Sequence, residues 1–154
     1  MSKEIHFYRA TGPYGFLSNL YPCPVDFEGR RFRSAEDAYQ YGKPCDPAIA
    51  AWLIVAPSPS LCAQAAHVLL RWQVRADWTA IKVERMRAVL RAKFQQHPTL
   101  REQLLATGDA LLIEASTIDA FWGVGKRGQG KNMLGQFLMA VRAEITAIQG
   151  SNGC

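Results

Sequence analysis

Helix starts punctuate this chain more regularly than any other signal. Ser34 stands three residues ahead of an acid, the order of a capping box. Asp46 and Ser58 each precede a proline, Pro47 and Pro59, which is a cap followed by proline at the first helical position. Asp77 precedes Trp78, Pro98 follows His97, and Asn132 precedes an apolar stripe. These starts predict helices over 34–43, from Pro47 through Val55, and from Pro59 to about Leu70. Further helices are predicted from Trp78 to about His97, from Pro98 to about Thr107, and from Met133 onward. The first should end near Lys43, because a residue before proline resists the αR region. In the longest, Ile81, Met86, Val89, Leu90 and Phe94 recur on one face; in the last, Leu134, Phe137, Leu138, Val141, Ile145 and Ile148 do.

Little is left for sheet. Ile5–Tyr8 and Ala110–Glu114 read as short strands, and Val25–Phe32 alternates around Gly29 as a hairpin. The expected fold class is mainly α: a single compact helical domain over 1–150, about six helices with a small N-terminal β-hairpin and strand element. Residues 151–154 read as a frayed tail. Hydrophobic residues at 49 % allow a sizeable core, and charged residues at 20 % exclude a disordered profile.

The four cysteines, Cys23, Cys45, Cys62 and Cys154, form no C-x-x-C pair, and His6, His67 and His97 are isolated. Neither a zinc site nor a disulfide scaffold is expected, and no metal or other cofactor. No apolar run approaches 18 residues and the N-terminus lacks a signal-peptide core, so the cytoplasm is the expected location and a membrane partner is not. The net charge of +5 fits either a solvated surface or attraction for a phosphorylated or nucleic-acid ligand.

Glu114 to Gly135 gathers a carboxylate at Asp119, an indole at Trp122, five glycines and three cations before a helix. Gly123-Val-Gly125-Lys-Arg-Gly128 spells a dinucleotide fingerprint, but too little chain follows for its βαβ unit. Gly125 to Asn132 falls one hydroxyl short of a phosphate-binding P-loop. Two readings remain: amides converging on an anion beside a stacking ring, or a glycine-rich turn that only caps a helix.

Glu36, Tyr39, Gln40 and Lys43 lie at i, i+3, i+4 and i+7, one face of a helix. Either that face is solvated, or it carries an acid/base at Glu36 and a nucleophile or cation at Lys43. Lysine forms an imine with a carbonyl, and a ring-opened sugar supplies one. Arg30, Arg31 and Arg33 either bind phosphate or form a solvated turn.

Four segments in order resemble the NADAR (YbiA-like) family of N-glycosidases. They are Gly-Pro-Tyr-Gly-Phe-Leu-Ser-Asn-Leu-Tyr-Pro (12–22), Ser-Ala-Glu-Asp-Ala-Tyr-Gln-Tyr-Gly-Lys (34–43), and Arg-Ala-Asp-Trp-Thr-Ala-Ile-Lys (75–82) with Lys-Phe-Gln-Gln-His-Pro (93–98). The last runs from Thr-Gly-Asp (107–109) through Asp119, Trp122-Gly and Gly-Lys-Asn-Met-Leu-Gly to Leu-Met-Ala-Val-Arg (138–142). The resemblance covers about residues 5–146. It departs at Pro44, where family members continue the first helix.

The resemblance implies a metal-independent hydrolase of the C–N bond between ribose and a base-like amine. Its expected partner is a phosphorylated ribosyl small molecule, foremost a ribosylamino-pyrimidine phosphate of riboflavin biosynthesis. The alternative substrate is ADP-ribosylated guanine, with nucleic acid entering only as its carrier. A third reading is an ADP-ribose- or NAD-binding module without turnover; the pair Glu36 and Lys43 speaks against it, since a binder needs no imine-forming lysine. Carried over by motif, Glu36, Lys43 and Asp119 are the catalytic candidates. Phe16, Ser18, Asn19, Arg33, Tyr39, Trp78, Trp122, Gly123 and Asn132 are the substrate-binding candidates. The substrate pocket is expected between the Glu36–Lys43 helix and the Asp119–Asn132 loop.

Overall fold

All six predicted helices form in the computed structural model, which describes residues 3–151. They are α1 (Ala35–Gln40), α2 (Pro47–Ile54), α3 (Pro59–His67), α4 (Trp78–Gln96), α5 (Pro98–Ala106) and α6 (Met133–Ser151). Four short strands accompany them: β1 (Glu4–Phe7), β2 (Val25–Phe27), β3 (Arg30–Phe32) and β4 (Leu111–Glu114). The protein is therefore mainly α with small strands. Two compact units result, one of Pro22–Gln96, the other of the segments up to Tyr21 and from His97.

In the 22–96 unit, β2 and β3 pair antiparallel, Val25 opposite Phe32 and Phe27 opposite Arg30. The turn between them places Glu28 at φ 50° and Gly29 at φ 77°. Two consecutive positive φ values define a two-residue turn whose twist matches a hairpin. The Ser34 hydroxyl accepts the Asp37 N–H at 3.2 Å, as its position predicted. Asp46 and Ser58 cap α2 and α3 in the same way, accepting from Ala48 at 2.8 Å and Leu61 at 3.1 Å. One core cluster joins Phe32, Ala35, Ala38 and Val89; a second joins Leu53, Cys62 and Ala66. Asp37 is buried and paired with Arg33, whose guanidinium also donates to the Ala56 carbonyl at 2.5 Å.

In the other unit, β1 and β4 pair parallel, with Ile5 opposite Leu112 and Phe7 opposite Glu114. Buried Arg142 on α6 donates to Thr107 Oγ1 at 2.8 Å and to the Ala110 carbonyl at 2.9 Å. A guanidinium thus satisfies polar groups just ahead of β4 that burial would otherwise leave costly.

Four details differ from the sequence expectations. Helix α1 ends at Gln40, three residues early: Gly42 and Lys43 donate to Tyr39 and Gln40 at 3.3 and 3.1 Å, i→i+3 bonds that tighten the chain before Pro44. Helix α3 stops at His67 rather than Leu70, and Arg71–Gln73 turns as a 3-10 segment. Asp77 does open α4 through its carbonyl, which accepts from Ala80 and Ile81, but its carboxylate turns back to Arg75. On α6 the buried stripe ends at Val141, and Ile148 is 61 % exposed: the apolar pattern outruns the part of the helix that finds cover. Beyond Ser151 the expected tail, Cys154 included, lies outside the described residues.

Candidate active site

Two of the catalytic candidates lie close together in the chain, Glu36 on α1 and Lys43 just past its end. Glu36 is half-buried and its Oε1 accepts from Gln40 Nε2 at 2.8 Å, an i,i+4 bond along the helix. Lys43 is also half-buried, and its Nζ donates to the Ala66 carbonyl at 2.8 Å. Burial, reinforced by the like charge of Lys82, pulls the Lys43 ammonium below the usual lysine range; the Glu36 carboxylate opposes that shift in part. A neutral amine is the nucleophilic form of lysine, and a downward shift enlarges its share. Lys82 lies in the segment 75–82 that carried the family resemblance, but the segment alone did not single it out.

The chain around Lys43 is held at several points. Arg85 donates to the carbonyls of Ala38 at 2.6 Å and Tyr39 at 3.1 Å, ending α1 where carbonyls lose their helical partners, and pairs with Glu28 at 2.7 Å. A Cβ at Gly42 would lie 2.3 Å from Arg85 Nε, so only glycine admits that guanidinium. The Lys43 carbonyl accepts the Arg75 N–H at 3.0 Å, and Pro44 bridges to Val74. Tyr39 and Trp78 are buried against each other, rings 5.1 Å apart.

The three arginines read as phosphate ligands have protein partners. Arg30 lies over the Tyr41 ring at 4.9 Å, Arg31 pairs with Asp26 at 2.8 Å, and Arg33 is committed to Asp37 and Ala56. For Arg33 this corrects the sequence reading: its guanidinium ties α1 to the end of α2.

The Gly-rich loop also differs from the anion-cradle reading. The amides of Lys131, Asn132, Met133 and Leu134 donate to the carbonyls of Ala120, Gly123, Phe121 and Trp122 at 2.8–3.0 Å. The leading amides of α6 are thus used inside the protein, and the helix start is not an open anion site. Asp119 Oδ1 accepts from Phe121 and Trp122 N–H at 2.9 and 2.8 Å, fixing the backbone under the indole. Trp122 meets Phe121 and Phe137 edge-on, with centroids 4.8 and 6.0 Å away.

Asn132 occupies the residue before α6, and its carbonyl accepts the Gln136 N–H at 3.0 Å. Its side chain does not cap the helix. Oδ1 accepts from Glu114 N–H and Nδ2 donates to the Leu112 carbonyl, both at 2.9 Å, so the amide pairs with β4 as a short strand would. Asn132 sits at φ 51°, a left-handed value that asparagine tolerates. At Gly123 a Cβ would lie 1.9 Å from Glu114 Oε2, and at Gly135 2.0 Å from the Leu112 carbonyl oxygen. The loop's glycines therefore answer to close packing.

In the first loop, Phe16, Ser18 and Asn19 are all buried, and Ser18 Oγ accepts the Leu20 N–H at 3.1 Å. Among the described residues no helix is long and apolar enough to cross a membrane, and no three His, Cys, Asp or Glu stand grouped as metal ligands.

The NADAR domain family matches residues 6–146, and the chain belongs to that family. It stands among the family's N-glycosidases: it is 38 % identical to an N-glycosidase of Nostoc punctiforme across 97 % of both chains. It is 36 % identical to the N-glycosidase YbiA of Escherichia coli, over 92 % of this chain and 88 % of that one. The NMR structure of E. coli YbiA superimposes with a TM-score of 0.86 at 35 % identity, covering 97 % of this chain and 89 % of that one. A riboflavin biosynthesis protein of Vibrio vulnificus is 41 % identical over 94 % of the chain, which spans 39 % of that protein's length.

Proposed function

We propose that the protein hydrolyses the C–N bond between a phosphoribosyl group and a base-like amine, with ribosylamino-pyrimidine phosphates of riboflavin biosynthesis as the foremost substrates. The observation that carries the reading is the Lys43 amine: half-buried, below the usual lysine range, and within the electrostatic reach of Glu36. Membership among N-glycosidases and the likeness to a riboflavin biosynthesis protein support the substrate class.

The chemistry follows from these two groups. The neutral Lys43 amine adds to the anomeric carbon of the ring-opened ribosylamine. The bond from that carbon to the substrate nitrogen breaks, the amine leaves with a proton, and the carbon is held as an imine on Nζ. Glu36 supplies that proton as general acid and takes one from water as general base. Water adds to the imine carbon, Nζ departs, and ribose phosphate and free Lys43 remain. Net, one water is consumed and one C–N bond is broken.

The test is an activity panel read by mass spectrometry. Ribosylamino-pyrimidine phosphate should yield ribose phosphate and the free amine. Faster turnover of ADP-ribosyl-guanosine would move the assignment to removal of ADP-ribose from guanine. Turnover of neither would leave only a binding role for the site.

A further inference from the structure

The 22–96 unit carries an open cleft of about 890 Å3 lined by Cys45, Arg71, Trp72, Val74, Arg75, Ala76, Trp78 and Thr79. That is within the usual range for small-ligand sites, about 300–1,000 Å3. Two of its groups have no work inside the protein. Trp72 is 75 % exposed and its ring meets no other aromatic ring among the described residues. The neighbouring Arg71 guanidinium makes no ion pair or hydrogen bond among them. Arg75, by contrast, is held by Asp77 at 2.6 and 2.9 Å.

The turn that presents Arg71 and Trp72 is fastened along its whole length. Gln73 Oε1 accepts the Leu70 N–H at 2.7 Å, and Gln73 N–H donates to the Leu70 carbonyl at 2.8 Å. Val74 N–H reaches the Arg71 carbonyl at 3.3 Å. Cys45 closes the other side, its N–H on the Gln73 carbonyl at 2.9 Å and its Sγ on the Trp72 carbonyl at 3.4 Å. A rigid turn that displays an indole beside an unspent guanidinium is built for recognition, since little ordering remains to be done on binding. The indole offers a face to a flat ring, and the guanidinium a fork to a phosphate one residue away.

We infer that this cleft takes a base-plus-phosphate group, the base on Trp72 and the phosphate on Arg71. The cleft shares Trp78 with the substrate-binding candidates, and the Lys43 carbonyl accepts the N–H of Arg75 on its wall, but its occupancy is measured without turnover.

The probes are uridine 5′-monophosphate and an eight-nucleotide oligothymidylate, titrated by calorimetry at low and physiological salt into the Lys43→Ala protein, which is inert on the proposed mechanism but keeps the cleft. At least one probe should bind saturably. Trp72→Ala and Arg71→Ala should each weaken it about tenfold, in line with loss of one stacked base or one charged contact. Trp72→Phe should restore most of the loss. Binding of the mononucleotide alone identifies a free nucleotide-like ligand. Tighter binding of the oligonucleotide, with a steep salt dependence that flattens in Arg71→Ala, identifies a strand. An independent readout is Cys45, exposed in the cleft while Cys23 and Cys62 are buried. In a Cys154→Ser background, a saturating probe should slow maleimide labelling of Cys45 severalfold. No saturable binding of either probe, or binding and labelling unchanged in both Trp72→Ala and Arg71→Ala, overturns the inference and leaves the hydrolase reading untouched.

Discussion

The end of α1 and the 119–135 loop look alike as sequence, since each sets charged or amide side chains among glycine and aromatic residues. The structure uses them in opposite ways. In the loop, Asp119 and Asn132 spend side-chain oxygens on the backbone, and the amides opening α6 are consumed by loop carbonyls. At α1 the backbone is tied off by other groups, chiefly Arg85, and Lys43 keeps an ammonium shifted below the usual range that bonds to the Ala66 carbonyl. The loop is a scaffold that fixes one indole; the helix end holds the pair proposed to react. A polar side chain that replaces backbone hydrogen bonds is bound to structure, whereas a half-exposed one whose ionisation is shifted can reach a ligand.

The largest effects should separate the two regions by what they change. Lys43→Ala and Glu36→Gln should each lower kcat by about 10²–10⁴ with the melting temperature nearly unchanged. Steady-state kinetics beside calorimetry checks this, and near-normal turnover in Lys43→Ala would reduce that residue to a cation for phosphate.

Changes in the loop should act on stability. Asn132→Ala leaves the Glu114 N–H and the Leu112 carbonyl without their partners and should cost about 2–4 kcal/mol. Gly135→Ala drives a methyl into the Leu112 carbonyl and should cost a similar amount. Denaturant unfolding measures both. Full stability with lost turnover would place Asn132 in the chemistry and erase the contrast.

The smallest effect compares two lysines. Lys93 is fully buried, and burial pulls its ammonium down to about 8. Its folded value lies below the unfolded one, so the unfolded chain binds more protons between them. The penalty is therefore complete below about pH 8 and relieved as pH rises toward about 10.4. Burial raises the Cys23 thiol, which opposes this once unfolded thiols ionise near 8.5–9. Stability should climb by about 0.7 kcal/mol between pH 7.5 and 8.5, less what Cys23 offsets. Lys93→Met should flatten the climb and leave kcat unaltered, whereas Lys43 should govern the pH profile of kcat.

Much of the fold was legible because caps and prolines mark helix starts through local chemistry. Ser34, Asp46 and Ser58 each do what their position demands. Helix ends were less legible because they rest on distant groups. Arg85 lies 46 residues beyond the Tyr39 carbonyl it takes, and no local pattern announces that. The candidate residues were found through family motifs, but their division of labour was not. Whether Arg33 meets a phosphate or Asp37, and whether Asn132 meets a ligand or β4, depends on which backbone lies opposite, a tertiary fact. Burial of Lys93 was illegible for the same reason: it follows Leu90 by three and precedes Phe94 by one, and no local pattern sets it apart from the other basic residues of α4.

The central claim is that Lys43 carries the sugar covalently. Borohydride added during turnover of ribosylamino-pyrimidine phosphate should reduce the imine to a stable secondary amine. Intact-mass and peptide mass spectrometry should then find one ribityl phosphate on Lys43 in the wild type and none in Lys43→Ala. A wild-type enzyme that turns over at full rate under borohydride, with no adduct on Lys43, would contradict the claim and leave the bond to be broken by Glu36 and water.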